Sequence, residues 1–80
     1  MDTFITNDMA MAAFLELEGH TPQKVEWTDD TCRWTFMLTE MCQLEVEEFQ
    51  TDAARVNPRE YTKYFAKAKR EFHNSKPSEG

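Results

Sequence analysis

The side chains with the widest chemical range in this sequence are two cysteines, Cys32 and Cys42, and two histidines, His20 and His73. Four such groups could close a tetrahedral zinc site. Structural zinc sites draw their ligands in closely spaced pairs, however, and neither the cysteines nor the histidines form one. Both cysteines also fall among apolar positions, where a thiol acts as a small hydrophobe. Nothing in the spacing joins either one to a histidine as nucleophile and base. His20 directly follows an expected helix, where its side chain can cap exposed carbonyls. Serine occurs only at Ser75 and Ser78, in a stretch without periodicity, so no serine nucleophile has a fixed frame. Glycine occurs only at Gly19 and Gly80, which excludes a glycine-rich phosphate loop. The expectation is a protein with no catalytic group, no metal and no cofactor, hence not an enzyme.

Charge is the remaining resource. The chain carries a formal net charge of −6. Residues 1–52 hold twelve acidic and two basic side chains, whereas residues 53–80 hold three acidic and seven basic ones. An acidic body therefore precedes a basic last segment. Asp29, Asp30, Glu45, Glu47 and Glu48 form a candidate partner-binding face, whose carboxylates could imitate nucleic-acid phosphates in a basic groove of another protein. Arg59, Lys63, Lys67, Lys69 and Arg70 form the alternative, a cationic helix that could contact phosphates directly. The acidic overall field and the placement of the nearby aromatics on an apolar stripe count against a nucleic-acid platform. The plainer reading is a solvated surface whose two halves attract each other, within the fold or across a homodimer.

These side chains need a scaffold, and 80 residues allow one small domain. The composition, 40% hydrophobic and 30% charged with ten aromatic rings, is globular. A core this small must take most of its stability from those rings. No apolar run approaches the roughly 20 residues of a membrane span. The sequence starts without the basic and apolar segments of an export signal, and its cysteines suit a reducing compartment, so a cytoplasmic location is expected.

Local patterns place the elements. Thr6-Asn7-Asp8 offers caps for a helix in which Ala10, Ala13, Phe14 and Leu17 share a face, with Asp8, Ala12 and Glu16 outward. Gly19 ends it. From Gln23 to Trp27 and from Cys32 to Leu38 the apolar period is two, across Thr28-Asp29-Asp30-Thr31, which predicts a hairpin. Thr39 caps a helix from Glu40 to about Gln50, with Met41, Cys42, Leu44, Val46 and Phe49 on one broad apolar side. Asn57, Pro58 and Glu60 open the last helix, whose stripe is Tyr61, Tyr64, Phe65, Ala68 and Phe72. The expected fold is α+β: a helix, a two-stranded antiparallel hairpin, then two helices, as one domain over 1–73. Residues 74–80 read as a disordered polar tail.

Four segments, in this order, carry a resemblance: Thr6-Asn7-Asp8 leading to Glu18-Gly19-His20, then Trp34-Thr35-Phe36, then Val46-Glu47-Glu48-Phe49, then Val56-Asn57-Pro58-Arg59-Glu60-Tyr61. Together they resemble a family of small bacterial and phage proteins known as a domain of unknown function. The resemblance covers roughly residues 4–72 and implies no catalytic residue. It implies an accessory protein of a phage or mobile element that binds a host protein or protein complex in the bacterial cytoplasm, such as a defence or nucleic-acid-processing assembly. Its mechanism would be to occlude a surface of that partner.

Overall fold

The computed structural model describes residues 2–76. Its elements are β1 (Thr3–Thr6), α1 (Met9–Leu17), β2 (Lys24–Thr28), β3 (Thr31–Met37), α2 (Glu40–Gln50) and α3 (Pro58–Ser75). The sheet is antiparallel with three strands in the order β1-β3-β2, so the expected two-stranded hairpin is completed by a strand at its other edge. The added strand is short, four residues that run straight into the cap of α1. It exists because β3 offers a second edge: Phe4 lies opposite Phe36, and Thr6 opposite Trp34. The remaining pairs set Val25 against Trp34 and Trp27 against Cys32, so one face of the sheet collects the aromatic side chains.

The hairpin turn is Asp29-Asp30, with φ of 53° and 63°. Two left-handed residues between Thr28 and Thr31 make a type I′ turn, whose twist matches that of the strands. Helix starts follow the local code. The carboxylate of Asp8 accepts from the Ala10 amide at 2.9 Å, Thr39 Oγ1 from Cys42 at 3.0 Å, and Asn57 Oδ1 from Arg59 at 2.9 Å. At the end of α1, Gly19 takes φ 100°, the His20 amide donates to the Leu15 carbonyl and the Gly19 amide to Glu16, a Schellman motif. The end of α2 repeats it without glycine. Asp52 holds φ 61° while Ala53 donates to Glu48 and Asp52 to Phe49.

The core joins α1, β3, α2 and α3: Met11, Phe14, Leu15, Trp34, Phe36, Cys42 and Ala68 are all buried. Helix α1 is the centre of the helical layer, packed on α3 along its length and on α2 at its other flank. That position corrects the reading of its outward side, because Ala12 and Glu16 are both buried. The sequence Met-Ala-Met-Ala-Ala-Phe-Leu is apolar all round, which is how a helix covered on several sides reads. Helix α3 runs to Ser75, so Asn74 and Ser75 belong to it and not to a polar tail. Ser75 is held by its hydroxyl, which donates to the Phe72 carbonyl at 3.0 Å and lies 3.1 Å from Cys32 Sγ. The rest of the expected tail, 77–80, lies outside the described residues.

A left-handed aspartate costs more than a left-handed glycine. Replacing Asp52 by Gly should raise the stability of the fold by about 0.5 kcal/mol, and Asp52→Ala should lower it by about 1 kcal/mol. Urea denaturation of the two variants measures both. Equal stability in both would show that the turn after α2 bears no strain.

Candidate interaction site

The five acids expected to act as one face occupy three places. Asp29 and Asp30 sit in the exposed hairpin turn, where Asp29 lies 3.5 Å from the Arg33 guanidinium. Glu47 and Glu48 are exposed on the outward flank of α2. Glu45 is not a surface acid. It is buried, with its Oε1 2.5 Å from His20 Nε2. The Schellman turn at Gly19 swings His20 under α2, so the histidine expected to cap carbonyls by its side chain instead faces a carboxylate. Glu18, at the end of α1, is pushed above its ordinary value by partial burial, with repulsion from Glu45 and Glu48 adding to it. Those acids therefore converge where α1 ends beside α2.

The apolar side expected for α2 also divides. Cys42 and Val46 are buried against the core, and Phe49 packs on Phe14 with ring centroids 5.2 Å apart and the rings tilted by 37°. Met41 and Leu44 are instead 63% and 54% exposed. The reason is that α2 packs chiefly on α1, and its buried residues, Cys42, Glu45 and Val46, fall on one side of the helix. Sequence periodicity shows that both residues adjoin the apolar side; it cannot show how wide the covering neighbour is. The result is a strip with Met41 and Leu44 at its centre and Glu40, Gln43, Glu47 and Glu48 around them. A shallow recess of about 270 Å³ opens there, lined by Glu40, Gln43, Leu44 and Glu47. It suits a side chain better than an enclosed small ligand, which takes a cleft of about 300–1,000 Å³.

The basic residues divide as well. Arg59, Lys63, Lys69 and Arg70 are exposed on α3. Lys67 is not free with them: its ammonium lies 3.2 Å from Oε1 of buried Glu16. Phe65, expected on the buried stripe, is 36% exposed at the margin of the basic side.

Neither thiol is set up for nucleophilic work. Burial pushes Cys32 and Cys42 above the ordinary thiol value, so the reactive thiolate is disfavoured. His20, His73, Cys32 and Cys42 do not gather, and among the described residues no group of three or more His, Cys, Asp or Glu side chains is placed to hold a metal. Among the same residues, no helix is long and apolar enough to cross a membrane. No protein-family model, no curated protein and no solved structure matches the chain.

Between α1 and α3 lies a polar group that spacing did not reveal. Glu16 is buried, its Oε1 receives Lys67, and its Oε2 has no hydrogen-bond partner among the described residues. Glu71 is close enough to repel it, and that residue's own Oε1 accepts from the Trp34 indole at 3.3 Å. Burial raises Glu16 from 4.5 to about 7, with Glu71 reinforcing and Lys67 opposing the change. A carboxyl whose folded pKa lies above its unfolded one holds its proton longer in the folded state. Stability is then full below pH 4.5 as far as this group is concerned, and declines as pH rises to about 7. Glu16→Gln keeps an acceptor for Lys67 and removes the ionisation. It should gain on the order of 1–2 kcal/mol at alkaline pH and little in acid, flattening the pH profile read by denaturant titration. An unchanged slope would remove Glu16 as its source.

Proposed function

We propose that this chain is a non-enzymatic protein-binding module that docks through the outward flank of α2 and acts by occluding a surface of its partner. The observation that carries the reading is the exposure of Met41 and Leu44, three residues apart and ringed by carboxylates. Large apolar side chains at the centre of a polar rim are the usual anatomy of a protein-binding patch. In this reading Glu47 and Glu48 are partner-binding residues, together with Glu40. Glu45 supports the flank from beneath through His20, and Asp29 and Asp30 form a separate acidic point. The resemblance noted in the sequence adds the setting: an accessory protein of a phage or mobile element, working in the bacterial cytoplasm on a host protein such as a defence or nucleic-acid-processing complex.

The exposed Arg59, Lys63, Lys69 and Arg70, with Phe65 at their margin, favour one second reading, a nucleic-acid contact through α3. It requires a mobility shift with DNA or RNA at low salt that weakens steeply as salt rises. No shift at low salt would end it.

For the leading reading, tagged protein is used to capture partners from nuclease-treated bacterial lysate. A stoichiometric protein should be retained by the wild type and by Asp29→Lys/Asp30→Lys, and lost with Met41→Ser/Leu44→Ser. Far-UV circular dichroism checks that each variant is folded. Retention by the Met41/Leu44 variant would move the interface away from α2.

A further inference from the structure

The α2 flank carries more information than that it binds. Its apolar centre runs along the helix from Met41 to Leu44, and the ring around it holds Glu40, Glu47 and Glu48 with no basic side chain on α2. Glu18, at the end of α1, lies close enough to Glu48 for the two carboxylates to repel. An occupant must therefore bring apolar side chains for the centre and positive charge for the rim, since a neutral or acidic one would leave the carboxylates desolvated and unpaired.

The backbone of the occupant is constrained too. A helix flank offers no free amides or carbonyls, because α2 has used its own internally. An extended segment laid on it would bury backbone groups without partners, whereas a helix arrives with those groups already satisfied. Side-chain ridges at positions 40, 44 and 48 (every fourth residue) and at 41, 44 and 47 (every third) are the rows against which a second helix packs. The 11 residues of α2 span about 16 Å, which matches about three turns of a partner.

We infer that the α2 flank receives a cationic amphipathic helix of the partner protein, with apolar residues spaced i, i+3, i+4 and i+7 over Met41 and Leu44, and lysines or arginines reaching Glu40, Glu47 and Glu48. The inference rests on the docking role of α2 and specifies the chemistry that role requires.

The test uses synthetic helical peptides of about 18 residues as probes, labelled for fluorescence anisotropy. One carries leucine on one face and lysine on the other, a second has glutamate in place of lysine, and a third has serine in place of leucine. The leucine–lysine peptide should bind and the other two should not. Met41→Ser/Leu44→Ser and Glu47→Lys/Glu48→Lys should each weaken it about tenfold or more. Asp29→Lys/Asp30→Lys changes the net charge by the same amount at a different place and should leave binding unchanged. Methionine methyl spectra should show the shift centred on Met41. Equal losses for the two charge reversals would overturn the inference, because binding would then follow overall acidity. Binding of the leucine–glutamate peptide, or no binding by any, would overturn it as well. A lysate partner that depends on Met41 and Leu44 while the leucine–lysine peptide fails would leave the docking role standing and remove only the cationic helix.

Discussion

The fold turns on a polar link inside its apolar core. Trp34 is fully buried on the central strand, and its indole N–H needs an acceptor that no apolar neighbour can supply. Glu71 of α3 provides it, and Glu71 in turn stands against Glu16 of α1, which Lys67 of α3 partly compensates. These four side chains tie β3, α1 and α3 into one register. An unpaired carboxylate oxygen at such a place is costly, and an apolar residue of similar volume would pack there more cheaply. A shift of α3 along α1 would break both the Lys67–Glu16 and the Trp34–Glu71 contacts.

Local chemistry and tertiary placement were unequally legible. The starts of all three helices could be read because capping is settled within four residues: Asp8, Thr39 and Asn57 each reach an amide two or three positions on. The hairpin followed from its period and from a turn of two aspartates. Strand β1 could not be read the same way. Four residues, Thr3 to Thr6, make no periodic signal of their own, and their pairing depends on an edge of β3 that exists only in the folded sheet. Burial of Glu16 and Glu45 was hidden for a related reason. A carboxylate beside an apolar stripe reads as solvated until the lysine or histidine that meets it, 51 and 25 residues away, is brought near.

The same asymmetry governs the interaction site. Charge separation along the chain was visible and drew attention to α2 and α3, but it grouped acids that the fold separates. What favours α2 in the proposed docking role is the exposure of Met41 and Leu44. That follows from the placing of α2 at the margin of the helical layer, a fact about neighbours. Burial raises both thiols, and it raises Glu16 and Glu18 where helices meet.

The marginal attachment of α2 has a consequence for cooperativity. The molecule is a plate, 42 × 33 × 19 Å, with the sheet as one layer and the helices as the other. Helix α1 is covered from several directions, so its amides should be among the slowest to exchange. Helix α2 leans chiefly on α1, burying Cys42 and Val46 in the shared core, which makes it the helix least held by other elements. The element that carries the exposed patch is thus the one whose order is least secured from within. A ligand seated on it would add the missing second wall, and its binding would register as slowed amide exchange along α2 while α1 stayed as protected as before.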